Sequence, residues 1–334
     1  MVKPLVSIGI PTYNRPLGLH RALTSITAQT YPHFEVIVSD NCSPGTETQE
    51  VVARFMEQDK RIRYVRQPSN IGMFNNFKFV FEAAQGEYFA WLADDDIRDE
   101  TFLEKCLDVF EQPNQSSELL LVNAYSQLIS HDLNTDPHRS IASPHDDASR
   151  PQQSMQVATK SVVQQQSTLS APTDVEQPQN TDQGCTTLGL PPSERYYRYL
   201  SSVYTTQSAI GDLIHGVMKR ETLEPVLMAQ KNILGWDRVF LSALALEGEF
   251  YTIPEVLMYS SDGGMSTLKN AKKMADVQGI QNPFYIRKAK WMRMFSLQQS
   301  AWRSRKLSPF AKLRLSLWLW MDMMTRTVSK QAGQ

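Results

Sequence analysis

Three consecutive aspartates, Asp94, Asp95 and Asp96, follow the apolar run Phe89–Leu92 with only Ala93 between them. Neighbouring carboxylates repel, and none of the three is useful to a core. Two readings account for them: a solvated acidic loop, or a cation site at the end of a buried strand. Three further groups of hydroxyl, amide and carboxylate residues also stand just after short β-rich runs. They are Pro11–Asn14 after "LVSIGI", Asp40–Ser43 at the end of "FEVIVSD", and Asn70–Gly72 after "RIRYVRQ". Hard oxygen donors of this kind suit Mg²⁺ or Mn²⁺. A divalent cation held by one or two carboxylates keeps positions open for phosphate oxygens, so a diphosphate is the natural ligand. No GxGxxG follows the first run and no GxxxxGK[ST] occurs, which disfavours the usual dinucleotide fold and a Walker-type ATPase. The six histidines show no HExxH spacing.

The elements that must position these groups alternate along the first part of the chain. Strand-like runs at 5–10, 34–40, 61–67, 86–92 and "SELLLVNAYSQL" are separated by helical stretches such as "RPLGLHRALTSITAQT", "ETQEVVARFMEQ" and "DETFLEKCLDVFEQ". This alternation predicts an α/β fold with a doubly wound, mostly parallel sheet flanked by helices. Ligands in such sheets gather beyond the carboxyl ends of the strands. The four polar groups are therefore expected on one rim, and the fourth strand is apolar because both faces of the sheet are covered.

The chain of 334 residues has 41% hydrophobic and 21% charged residues, as a folded protein with a sizeable core does. Cys42, Cys106 and Cys185 are far apart and odd in number, which suggests neither a zinc site nor a disulfide framework and fits a reducing, cytoplasmic setting. The start, "MVKPLVSIGIPTYN", lacks a signal-peptide core, and no uninterrupted apolar stretch is long enough for a membrane span. Residues 131–192 change texture. They are rich in Gln, Ser, Thr and Pro without a sustained period, and are expected to be a disordered insertion, or else a glutamine-rich interaction segment. The expected organisation is thus 1–130 as one half of the domain, 131–192 as the insertion, 193–265 as the other half, and 266–334 as a basic helical tail. Residues 281–334 hold eleven Lys and Arg against the single acid Asp322, a charge of +10 that leaves −11 on residues 1–280. Four of the six tryptophans, Trp291, Trp302, Trp318 and Trp320, lie in this tail. Leu313, Leu317, Trp320, Met321 and Met324 can share a helical face, although "LRLSLWLWM" also alternates as a strand would. A basic helix with interfacial aromatics suits an anionic lipid surface, here through residues 284–328; packing on the domain is the alternative.

The ordered motifs "VSIGIPTYNRPLGLHRALTSITAQTYPHFEVIVSDNCSPGTETQEVV", "NIGMFNNF" and "GEYFAWLADDD" resemble glycosyltransferase family 2, nucleotide-diphospho-sugar transferases of the GT-A fold. The resemblance covers residues 4–130 and, more loosely, 190–262. It implies that Pro11, Thr12, Tyr13 and Asn14 line the nucleoside pocket and that Asp40 reads the base edge, usually of a uridine; an Asx turn with Asn41 and Ser43 is the other reading of Asp40. Asn70, Gly72 and Asn75 match the segment that crosses the phosphates. Asp94–Asp96 match the DxD element, with Asp94 on ribose or metal and Asp95 and Asp96 at the metal and diphosphate. This chain has Ala93 where family members often carry an acid. In the second half, "GWDRVFLSALA" resembles the helix that carries the general base, which would be Asp237; a helix N-terminal acid favoured by the dipole is its other reading. His215 and Trp236 are acceptor-side candidates, with a core histidine and a buried aromatic anchor as the alternatives.

The resemblance implies a hexosyltransferase-type enzyme that moves sugar from a nucleotide-diphosphate donor, usually a UDP-sugar, to an acceptor hydroxyl with inversion. Its cofactor would be Mg²⁺ or Mn²⁺. Its acceptor would be a glycan or lipid-linked glycan in polysaccharide assembly, at the cytoplasmic membrane face. No nucleic-acid recognition motif accompanies the basic tail. A sugar-phosphate nucleotidyltransferase would carry a glycine-rich, Arg/Lys-containing loop in place of "IPTYNRPLG". A catalytically degenerate sugar-nucleotide-binding scaffold is the non-enzymatic alternative.

Overall fold

The computed structural model describes residues 3–113, 115–129, 185–205, 211–261, 271–280 and 282–331. Strands β1 (Val6–Thr12), β2 (Phe34–Asp40), β3 (Ile62–Arg66) and β4 (Tyr88–Trp91) are linked by helices α1 (Pro16–Thr27), α2 (Glu47–Gln58) and α3 (Met73–Glu82). The short β5 (Ile97–Arg98), α4 (Phe102–Glu111) and β6 (Leu119–Ile129) follow. The second half contributes α5 (Pro192–Thr205), β7 (Val217–Lys219), α6 (Arg220–Met228), α7 (Trp236–Glu247) and β8 (Glu249–Ser261). The strands form one sheet in the order β3-β2-β1-β4-β7-β6-β8-β5. β1 pairs in parallel with β2 and β4, β2 with β3, and β6 with β8, while β7 and β5 pair antiparallel to their neighbours.

The sheet divides the core in two. Phe89 and Trp91 of β4 point into a cluster with Phe81, Phe240 and Phe250, while Tyr88, Ala90 and Leu92 join Ile8, Val38 and Leu103 on the other face. Burial on both faces explains the unbroken apolar run before the aspartates. β1 continues through Pro11 to Thr12, two residues beyond the run expected to stop there. Gly9 accepts a hydrogen bond from Leu92 N–H at 3.0 Å. Pro11, two residues on, turns its missing N–H toward the same neighbour, and β4 has ended at Trp91. The strand therefore tolerates the proline.

One expectation needs correction. The segment before α5 is part of the fold from residue 185: Cys185 is buried, and Thr187 donates its N–H to Phe250 O at 2.8 Å while its Oγ1 accepts from Phe250 N–H at 2.8 Å. The rest of the expected insertion, residues 131–184, lies outside the described residues. In the second half, Gly211–His215 form a 3₁₀ turn and Val217–Lys219 join the sheet. The C-terminal tail is helical as expected, the alternating "LRLSLWLWM" included. The tail comprises α8 (Ala271–Gln278), α9 (Pro283–Arg287), α10 (Ala289–Arg303) and α11 (Pro309–Gln331).

Candidate active site

Because β1 to β4 are parallel, their carboxyl ends share one edge, and the four polar groups meet there. Thr12 Oγ1 donates to Asp94 Oδ2 at 2.8 Å, and Tyr13 N–H reaches the same oxygen at 3.4 Å. Arg15 Nη1 is 3.4 Å from Asp94 Oδ1 and also hydrogen-bonds Asp95 Oδ2. From the far end of the chain, Ser261 donates its N–H to Asp96 Oδ1 at 3.3 Å and its hydroxyl to Asp95 Oδ2 at 3.3 Å. The pairing Ile97↔Tyr259 between β5 and β8 brings it there.

All three carboxylates are largely shielded from solvent. Burial pushes Asp94 and Asp96 up to about 6, against the partial compensation of nearby Arg15 and Arg98. Charge is therefore held under stress at this strand end, an arrangement that a cation would relieve. Among the described residues no group of three His, Cys, Asp or Glu side chains is arranged to hold a metal ion unaided. The hard oxygens of Asp95 and Asp96 fit a cation that completes its shell with oxygens from another molecule.

Asp40 is fully buried at the end of β2. Its Oδ1 accepts from Ser43 N–H at 2.8 Å and Ser43 Oγ at 2.5 Å, and its Oδ2 accepts from Tyr64 hydroxyl at 2.8 Å. The Asx-turn reading thus describes the carboxylate here, and Ser43 Oγ in turn accepts the N–H of Asn14 at 2.8 Å. Asn14 has φ 55°, a left-handed conformation that Asn tolerates. Pro11 and Thr12 are buried, whereas Tyr13 is exposed.

Asn41 joins this loop to the next. Its Nδ2 donates to Asn70 Oδ1 at 3.0 Å and its Oδ1 accepts from Ile71 N–H at 2.8 Å. Gly72 N–H also donates to Asn70 Oδ1, at 2.9 Å. Gly72 has φ 81°, and a Cβ there would lie 2.8 Å from Gln278 O, so the end of α8 packs directly on this loop. Asn75 is exposed in the first turn of α3, its amide donating to Ile71 O at 2.8 Å.

The second-half candidates behave differently from one another. His215 is half-buried, with Nδ1 3.2 Å from Trp91 O at the end of β4, three residues before Asp94. Asp237 lies half-buried in the first turn of α7, and among the described residues its carboxylate makes no hydrogen bond or ion pair. Trp236 is only 2% exposed; its ring packs edge-on against Phe74 at 5.0 Å and Phe77 at 5.7 Å. That corrects its acceptor-side assignment: it is a core anchor with no face left for a sugar. The same packing sets the start of α7, and hence Asp237, beside the first turns of α3. Arg15, Tyr64 and Ser261 were not singled out from the sequence. Arg15 alone carried a local signal, a cation directly after the Pro11–Asn14 group.

Residues 7–158 match the family model described as glycosyl transferase family 2. The chain is 35% identical over 106 residues to Bacillus subtilis TuaG, provisionally assigned as a teichuronic acid biosynthesis glycosyltransferase; the match covers 32% of this chain and 42% of that protein. It is 34% identical over 127 residues to an uncharacterized glycosyltransferase of Methanocaldococcus jannaschii, covering 37% of this chain and 43% of the relative. The chain thus spans under half the length of these curated relatives. Among solved structures, S. aureus TarS 1-349 in complex with UDP-GlcNAc superposes with a TM-score of 0.57 at 13% identity, covering 94% of this chain and 71% of that one. The mannosyltransferase PcManGT of Pyrobaculum calidifontis, in complex with GDP-Man and Mn²⁺, gives 0.50 at 15% identity, covering 98% and 84%. The fold is similar to that of GT-A glycosyltransferase structures, and the family 2 match, which spans under half of the chain, takes in β1 to β6 and the acidic triplet.

Proposed function

We propose that this chain is an inverting glycosyltransferase that takes sugar from a nucleotide-diphosphate donor, a UDP-sugar, and passes it to a hydroxyl of a glycan or lipid-linked glycan. The observation that carries the reading is the buried triplet Asp94–Asp96 on the rim shared by Thr12, Asp40 and Asn70. Support also comes from the solved structures of similar fold that hold UDP-GlcNAc or GDP-Man.

In this reading Pro11–Asn14 and Asp40 form the nucleoside pocket, with the exposed Tyr13 ring facing the base. Asp40 would share an oxygen now engaged by Ser43 or Tyr64. Asn70, Gly72 and Asn75 flank the diphosphate, and Asp94 orients the ribose. Asp95 and Asp96 would hold Mg²⁺ or Mn²⁺, which would supply positive charge to offset that of the diphosphate leaving group. Asp237 removes the proton from the acceptor hydroxyl. The acceptor oxygen bonds to the anomeric carbon from the face opposite the diphosphate, and the carbon–oxygen bond to phosphate breaks with its electron pair. One displacement inverts the configuration, and positioning accounts for much of the acceleration. His215, next to the end of β4, lies on the acceptor side.

The test is a donor screen. With UDP-sugars and Mn²⁺, free UDP should accumulate in the presence of glycan acceptors, and Asp95→Asn and Asp96→Asn should abolish it without lowering the melting temperature. Release of pyrophosphate would indicate a nucleotidyltransferase. No turnover, with nucleotide binding intact, would indicate a scaffold.

A further inference from the structure

α11 turns an apolar side outward. Leu315, Ser316, Leu319 and Met323 are its buried side. On the opposite side stand Phe310, Leu313, Leu317, Met321 and Met324, spaced 3, 4, 4 and 3 residues apart and 51–74% exposed. An ordinary surface helix shows the reverse pattern, with polar residues outermost. α10 adds Trp291, Phe295 and Trp302, each 39–52% exposed.

The two rows adjoin. Trp320, one turn from both Leu317 and Met324, packs edge-on against Trp291 with centroids 5.9 Å apart. Trp302 Nε1 donates to Ser316 Oγ at 2.8 Å, and Ser316 is one turn from Leu313. Eight large apolar side chains thus form one strip along a helical hairpin, more than the scattered exposure of a soluble surface. The exposed cations Arg287, Lys288, Arg303, Arg305 and Arg314 lie on or beside these helices, in a tail of charge +10. Among the described residues no helix is long and apolar enough to cross a membrane.

We propose that α10 and α11 lay this strip on an anionic lipid bilayer, with both helices in the plane of the interface. Charge decides the occupant. An acidic lipid surface attracts the flanking cations, whereas a second copy of the chain would bring two +10 tails together. Tryptophan, phenylalanine and leucine beside arginine are the residues that interfacial helices use, with the long basic chains reaching the headgroups. The inference is independent of the transfer reaction proposed above.

The experiment is co-sedimentation of the full chain with phosphatidylglycerol/phosphatidylcholine vesicles and with phosphatidylcholine alone, alongside light scattering without lipid. Wild type should sediment with the anionic vesicles, be released by high salt, and show blue-shifted tryptophan emission. The triple variant Phe310→Ser, Leu317→Ser, Met321→Ser should bind at least about tenfold more weakly, because it removes three buried anchors. Its melting temperature should hold, since these side chains touch solvent. Arg303→Gln, Arg305→Gln and Arg314→Gln should each weaken binding roughly fivefold. Equal partition to neutral and anionic vesicles, or wild-type binding by the triple variant, would overturn the proposal. So would a lipid-indifferent dimer that the triple variant dissociates, since the strip would then be a self-association face.

Discussion

Gly18 on α1 lies so close to Asp94 that a Cβ there would stand 2.6 Å from the Asp94 carbonyl oxygen and 3.3 Å from Asp95 Cα. The helix is thus seated on the backbone of the acidic triplet. Alanine would improve helix propensity at this position by about 1 kcal/mol. Overpacking against backbone costs roughly 1–3 kcal/mol, because neither partner can rotate away. The second effect should win: Gly18→Ala is expected to lower the melting temperature and to weaken metal-dependent UDP binding together. A variant more stable than wild type with unchanged UDP affinity would show that the helix backs away without disturbing the aspartates.

Arg15 is the main nearby cation for Asp94 and Asp95, and it is partly exposed, so solvent screens the pair. Arg15→Gln should cost on the order of 1 kcal/mol at neutral pH. The loss should shrink toward pH 5, where Asp94 becomes protonated and needs less compensation. Equal losses at pH 5 and pH 8, measured by urea unfolding, would mean that the guanidinium contributes by packing rather than charge.

The aspartates also set a pH dependence of their own. Asp94 and Asp96 are raised from 3.8 to about 6 by burial. The folded state therefore holds these protons more tightly than the unfolded chain does. Their contribution to stability is greatest below about 4 and is lost as pH rises through about 6. Carboxylates held low by partners, such as Glu35 and Asp59, act in the opposite sense at more acid pH. In EDTA, the melting temperature of wild type relative to Asp96→Asn should fall between pH 5 and pH 7. Parallel profiles for the two proteins across that window would contradict the assignment to Asp96.

What could be read in the sequence follows the range of the interactions. The strands around the rim were legible because each is a local apolar run ending in turn formers, and parallel order then places their ends together. Ser261 was not, since its approach to Asp95 and Asp96 depends on β5 pairing with β8 across more than 160 residues. Trp236 was left between an acceptor-side role and a buried anchor for the same reason. The Gly-Trp-Asp sequence says that a helix begins, but only Phe74 and Phe77 on α3 determine that the indole faces inward. The outward apolar row of α11 was visible as a period, whereas which side the domain covers is a tertiary fact. Asp40 shows a mixed outcome, its Asx turn being a local signal and its bond to Tyr64 a product of β2–β3 pairing.

Asp237 offers the sharpest test of chemistry. Its carboxylate is half-buried in the first turn of α7, and no described side chain competes for its lone pairs. A general base must accept a proton, so a carboxylate already engaged by an arginine would be poorly suited, and this one is not engaged. The neighbouring Trp236 fixes the helix start, so the substitution Asp237→Asn should leave the fold in place. The same variant should retain UDP affinity, because the proposed base does not touch the diphosphate. Transfer should drop by roughly 10²–10⁴, the usual contribution of a positioned base. UDP titration and sugar transfer should be measured on one preparation, with the anomeric configuration of the product determined by NMR. Transfer at near wild-type rate would remove Asp237 from the mechanism and direct attention to His215, beside the end of β4. A product of retained configuration would instead rule out the single displacement, whichever residue serves as base.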